Sequence, residues 1–213
     1  MMERKYQLYV FDMDGTLLDS SPGIIKAVCH TLKVFNKDIP EARVLKSFIG
    51  PPLKLSFSLL PDVDSAEVEN LVDTFREEYR EREILNANLY EGIIPLLKKL
   101  SSDGVKIAIA TNKPKIFAQK LVCHFGLNEF IPVVCGSDMK GSFNKTELIR
   151  MAMMKSKINK KEYAVMVGDT INDAEAANEC GVDFIGVKYG FGIFESEFRG
   201  SMVKMAEKPE DIY

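Results

Sequence analysis

The residues able to do chemistry fall in four places. Asp12 and Asp14 stand in Asp12-Met13-Asp14-Gly15-Thr16, Thr111 and Asn112 in Thr111-Asn112-Lys113, Lys145 by itself, and Asp169 and Asp173 in Gly168-Asp169-Thr170-Ile171-Asn172-Asp173. Four carboxylates gathered in one pocket repel one another and resist desolvation unless they share a cation. All-oxygen ligands suit Mg2+, which takes one or two carboxylates and leaves room for phosphate oxygens of a substrate; Asp12 and Asp169 are the first candidates as ligands. Residues two apart at a strand end project to one side, so Asp12 and Asp14 can flank one phosphorus. A carboxylate can attack phosphorus to form an aspartyl-phosphate. A second carboxyl can protonate the leaving oxygen and later activate water. Asp12 is therefore expected as nucleophile and Asp14 as acid/base, with Thr111, Asn112 and Lys145 giving donors and positive charge to the transferring group.

Taken singly, each motif has a plainer reading. Asp14-Gly15 is a common hairpin signal, Thr111-Asn112 can cap a helix beginning near Pro114, and Asp169 with Asp173 can complement a helix amino terminus. Their joint placement decides for the functional reading. Each cluster except the lone lysine follows an apolar run, and the ligand crevice of an open parallel sheet lies beyond the carboxyl ends of its strands.

The runs that must position them are Tyr6–Phe11, Val105–Ala110, Ile131–Val134, Tyr163–Val167 and Asp183–Val187, read as buried parallel strands. Amphipathic segments near Gly92–Ser102, Pro114–Phe125, Lys145–Lys155 and Asp173–Cys180 alternate with them, and Gly104, Gly126 and Gly181 follow three of these helices. The fold class is α/β, a doubly wound, mainly parallel Rossmann-like sheet. From Ser20 to Asn88 the apolar spacing is helical throughout, with turn signals at Asp38-Ile39-Pro40, Gly50-Pro51-Pro52 and Pro61-Asp62-Val63-Asp64-Ser65. Residues 1–19 and 89–213 are thus expected to form the core, and residues 20–88 an inserted cap of about four helices.

Composition sets the outer limits. A hydrophobic share of 46% and a charged share of 28% over 213 residues suit a folded globular chain. The net charge of −3 argues against nucleic acid as a partner, and no apolar run is long enough for a membrane span. Cys29, Cys123, Cys135 and Cys180 show no paired spacing. With no export signal in the opening residues, a cytoplasmic protein is expected, as a monomer or small homo-oligomer.

These motifs resemble those of the haloacid dehalogenase-like hydrolases: Asp-x-Asp-Gly-Thr after the first strand, Thr or Ser after the second, a Lys, and Gly-Asp-x-x-x-Asp. The insertion 20–88 is similar to the cap that one subgroup carries. The resemblance implies a small phosphorylated substrate and Mg2+. It implies Asp14 as a metal ligand through its backbone carbonyl, besides its acid/base role, and Asp173 as a supporting carboxylate near metal and Lys145. Ile49-Gly50-Pro51-Pro52-Leu53 and Thr111-Asn112-Lys113-Pro114 look like the phosphoglycolate phosphatase and 5′-nucleotidase branch. A β-phosphoglucomutase-like mutase is disfavoured by Ile24, which stands where that branch often has histidine. An inorganic pyrophosphatase stays open. A phospho-receiver signalling module is the non-enzymatic alternative, and Asp14 and the insertion argue against it.

Overall fold

The computed structural model describes residues 6–192 and 202–213. In chain order the elements begin with β1 (Leu8–Phe11) and the two-residue β2 (Leu18–Asp19), followed by α1 (Ser21–Val34), α2 (Ala42–Lys46), α3 (Leu53–Ser58) and α4 (Val68–Glu78). A single π-helical turn, Tyr79–Glu83, extends α4. The two-residue β3 (Asn88–Leu89) then leads to α5 (Ile93–Ser102), β4 (Lys106–Pro114), α6 (Lys115–His124), β5 (Val133–Ser137) and α7 (Lys145–Lys155). The chain finishes with β6 (Ala164–Gly168), α8 (Ile171–Cys180), β7 (Asp183–Val187) and β8 (Met202–Ala206). Contacts divide it into two compact units, Met1–Asp19 with Leu89–Tyr213, and Ser20–Asn88.

In the first unit the strand order is β5-β4-β1-β6-β7-β8, and every described pairing in it is parallel. A parallel sheet covered on both faces needs apolar residues at successive positions rather than alternating ones. β1 and β6 answer that need, being buried along their whole lengths. Leu8 and Val10, Ala108 and Ala110, and Ala164 and Met166 pack in one cluster with Leu148, Ile149 and Ala152 of α7 and Ala174 and Ala177 of α8. Tyr9, Phe11, Ile107 and Ile109, one position out of phase, are buried from the opposite face. Gly104, Gly126 and Gly181 all take positive φ where their helices end.

Two features differ from expectation. β4 continues to Pro114 instead of stopping at Ala110, with a register shift against β5 between Thr111 and Pro114, so Thr111, Asn112 and Lys113 lie in an irregular strand end. Pro114 is the residue before α6 rather than its first helical residue, with ψ of 132°. The second is β8, which pairs with β7 at the sheet edge. Its Met-Val-Lys-Met-Ala sequence is mostly exposed and carries a central lysine, the mark of an edge strand and a poor signal of a buried one.

The second unit is helical. Ile24, Ala27, Val28, Thr31 and Leu32 make a buried stripe on α1, and Val68, Leu71, Val72 and Phe75 make one on α4. Phe57 of α3 packs its ring 5.0 Å from Phe48 and 6.4 Å from Phe75. Gly23 lets α1 run close to the π-helical turn, since a Cβ there would stand 2.3 Å from the Glu83 carbonyl oxygen.

Candidate active site

Asp12 directly follows β1, and its N–H donates to the Val167 carbonyl at 2.9 Å, which ties it to the neighbouring strand β6. The chain then turns tightly: the N–H groups of Leu17 and Leu18 both donate to the Met13 carbonyl at 3.0 Å, and Gly15 N–H donates to the Leu18 carbonyl at 2.8 Å. Gly15 is required twice over. Its φ of +85° lies in the left-handed region, and a Cβ would sit 2.1 Å from Asp169 Oδ2. The turn motif at β1 and the acidic motif at β6 are therefore packed directly on one another.

Asp169 follows β6 and is fully buried. Its Oδ2 accepts the N–H groups of Phe191 and Gly192 at 2.7 and 3.1 Å, and its Oδ1 accepts the Thr16 hydroxyl at 3.3 Å. Asp173 occupies the third position of α8. Its Oδ2 accepts the N–H and hydroxyl of Thr170, the amino-terminal cap, at 3.1 and 2.6 Å. The capping reading of Asp173 thus holds, but it occupies only one carboxylate oxygen. The other, Oδ1, lies 2.8 Å from Lys145 Nζ.

Lys145 is the first residue of α7, fixed there by a capping box between Asn144 and Glu147. Its ammonium lies 2.7 Å from Asp12 Oδ1 and donates to the Ala110 carbonyl at 3.3 Å. With Asp173, those contacts put three oxygens around the ammonium. Burial alone would lower its pKa, but the Asp12 and Asp173 carboxylates outweigh burial and raise it.

One oxygen from each of Asp12, Asp169 and Asp173 lies within 4.8 Å of the others, in a buried group. Asp14 stands apart from this group. Its Oδ1 is 3.1 Å from Lys113 Nζ, so the two aspartates of the first motif turn to different lysines. Once ionised, four carboxylates facing two ammonium groups leave an excess of two negative charges in a largely buried site. Burial pushes the Asp12 carboxyl up to about 7, with Asp173 and Asp169 adding to the rise and Lys145 opposing it. Burial, then Asp173, pushes Asp169 up to about 6 against its two N–H donors. Asp12 Oδ1 and Asp173 Oδ1 accept no well-aligned hydrogen bond and face only charge. Such a donor set fits a hard divalent cation.

Thr111 is buried, and its Oγ1 accepts the Lys113 N–H at 3.2 Å, leaving the hydroxyl proton to donate elsewhere. The plainer reading, that it caps α6, does not describe the structure, because the residue before that helix is Pro114 and no side chain caps it. Asn112 is half-buried and makes no polar side-chain contact among the described residues. Sequence reasoning passed over Lys113, Thr16 and the amides of Phe191 and Gly192. Part of the signal was present, since Thr16 and Lys113 sit inside motifs already singled out.

Residues 9–187 match the family of haloacid dehalogenase-like hydrolases. The 5′-nucleotidase of Pseudomonas aeruginosa strain PAO1 is 35% identical over 196 residues, which span 92% of this chain and 88% of that protein. The tyrosine-protein kinase PtkA of Mycobacterium tuberculosis strain H37Rv is 33% identical over 187 residues, 87% of this chain, but these span only 63% of the kinase. Among solved structures, a haloacid dehalogenase-like family hydrolase from Streptococcus pneumoniae superimposes with a TM-score of 0.90 at 30% identity, covering 98% of this chain and 97% of its own.

Proposed function

Because the chain belongs to the haloacid dehalogenase-like hydrolases, we propose that it is a magnesium-dependent phosphatase working on small phosphomonoesters through an aspartyl-phosphate on Asp12. The observation that carries this reading is the buried group of Asp12, Asp169 and Asp173 with Lys145 set between two of them. Asp12 and Asp169 would hold Mg2+, with Asp14 joining through its carbonyl and Asp173 in support. When bound, the cation offsets the charge of the carboxylates and of the substrate phosphate.

The chain's own groups have separable tasks. Asp12, at the end of a strand fixed on both sides, attacks phosphorus without having to be reoriented. Asp14 gives its proton to the departing oxygen, then takes one from the attacking water. Lys145 keeps Asp12 in place and, with Thr111 and Asn112, receives charge from the transferring phosphoryl oxygens. Residues 20–88 are read as the cap that selects the substrate. Nucleoside 5′-monophosphates head the candidate substrates because of the nucleotidase relative, with phosphoglycolate, sugar phosphates and pyrophosphate behind. No helix among the described residues is long and apolar enough to cross a membrane, and a cytoplasmic site of action is part of the proposal.

The test is phosphate release from a panel of these compounds with Mg2+ and with EDTA. The unmodified protein should turn over many equivalents only with the metal, and Asp12→Asn should be inactive. Full activity of Asp12→Asn would remove the aspartyl-phosphate, and one equivalent of stable phosphoprotein without turnover would favour a receiver.

A further inference from the structure

Lys113 is a flexible cation kept almost out of solvent. Its side chain is 6% exposed, and its ammonium lies 3.1 Å from Oδ1 of Asp14, which is 12% exposed. A buried ammonium is tolerated only where a partner offsets its lost hydration. A regular strand would put Thr111 and Lys113 on one face. The structure departs from regularity at this point, and a bulge re-aims the side chains it carries. The register against β5 shifts between Thr111 and Pro114, and the Thr111 hydroxyl oxygen accepts the Lys113 N–H at 3.2 Å. On β5, Gly136 lets the two backbones close up, because a Cβ there would stand 2.7 Å from the Lys113 carbonyl oxygen and 2.6 Å from Lys115 Cα. Three local features thus serve the placing of one lysine against one carboxylate.

We propose that Lys113 is the positioning residue for Asp14, holding Oδ1 so that the second oxygen exchanges the proton of the reaction. This rests on the reading of Asp14 as acid/base. In the first step a bond forms between Asp12 and phosphorus, the bond from phosphorus to the leaving oxygen breaks, and the Asp14 proton goes to that oxygen. In the second, water bonds to phosphorus and gives a proton to Asp14, while the Asp12–phosphate bond breaks and the carboxylate returns. Lys113 forms no bond and exchanges no proton in either step. Its task differs from that of Lys145, which faces Asp12 and Asp173.

The experiment is a double-mutant cycle on the Mg2+-loaded protein with p-nitrophenyl phosphate as probe. Lys113→Met should lower kcat about 10- to 100-fold with KM nearly unchanged, a share of the roughly 10²–10⁴-fold that placed proton transfer contributes. Lys113→Arg should recover part of the loss. Asp14→Asn with Lys113→Met should be no slower than Asp14→Asn alone, because the lysine then has nothing to position. The double variant removes both buried charges together, so it remains informative even where Lys113→Met alone folds poorly. A lysine effect of full size in the Asp14→Asn background, a change in KM alone, or a lowered Tm with kcat intact would each overturn the proposal. Wild-type turnover by Asp14→Asn would remove the acid/base reading itself, and this proposal with it.

Discussion

Lys145 Nζ lies 2.7 Å from Asp12 Oδ1, so a helix-borne ammonium reaches back to the carboxylate that directly follows the central strand. The same nitrogen lies 2.8 Å from Asp173 Oδ1, on the first turn of another helix. Replacing it by Lys145→Met leaves two buried carboxylates without their cation, and breaking one side of a buried ion pair costs about 3–5 kcal/mol. The variant should lose at least about 10³-fold in kcat, a charge-stabilisation loss of the oxyanion-hole size. Its metal-free Tm should fall, and Mg2+ should restore part of the Tm but not the kcat. Steady-state kinetics and thermal melts with and without Mg2+ check both halves.

Asp12 and Asp169 both have folded-state values, about 7 and about 6, above the ordinary 3.8. A carboxyl shifted in this direction contributes its stability below about pH 4 and loses it as pH rises through the folded-state value. Lys145, raised further above its already high ordinary value, does not titrate in this window. The metal-free protein should therefore melt lower at pH 8 than at pH 5. Added Mg2+ should raise Tm more at pH 8, where both carboxylates are charged; at 100 times Kd the gain is about 2.7 kcal/mol. Scanning calorimetry in EDTA and in Mg2+ at the two pH values reads this directly, and an equal metal-induced shift at both would count against it.

Gly15→Ala and Gly104→Ala form a matched pair. Both positions have positive φ, +85° and +73°, but a Cβ at Gly104 meets nothing within 4 Å, whereas at Gly15 it strikes Asp169. Gly104→Ala should cost only the left-handed backbone term, about 1–2 kcal/mol. Gly15→Ala should cost more and should also weaken Mg2+ binding about 10-fold or beyond, as displaced groups around metal ligands do. Equal Mg2+ affinity in the two variants, measured by titration calorimetry, would contradict the packing described.

Phe57→Ala removes the ring that joins Phe48 to Phe75 inside Ser20–Asn88. A cavity of that kind costs about 3–5 kcal/mol. Because the carboxylate group lies wholly in the other unit, Mg2+ affinity should stay within about two-fold while Tm falls.

Much of the candidate site was legible because its residues cluster where apolar runs stop. The burial of Leu8–Phe11 and Ala164–Gly168 on both faces makes those runs continuous, and the acidic groups that follow stand out against them. The end of β4 was less legible. Thr111, Asn112 and Lys113 are polar, and polarity reads as a loop, yet the strand continues through them because a bulge takes up the mismatch. β8 left no trace, since an exposed edge strand needs no apolar pattern. Lys113 escaped notice because lysine is ordinarily solvated, and only its distance to Asp14 reveals a buried partner. The clamp of Phe191 and Gly192 on Asp169 comes from backbone amides, which side-chain types do not announce.

β1 is flanked by partners whose registers run Leu8 to Lys106 and Leu8 to Ala164. A nascent polypeptide therefore presents Asp12 to the cell long before the ribosome has made Lys145 or Asp173, and during that interval the aspartate is an ordinary hydrated side chain. Distant pairings of this sort slow folding. They also mean that Asp12, Lys145 and Asp173 come together only after the strands and helices that carry all three have been made.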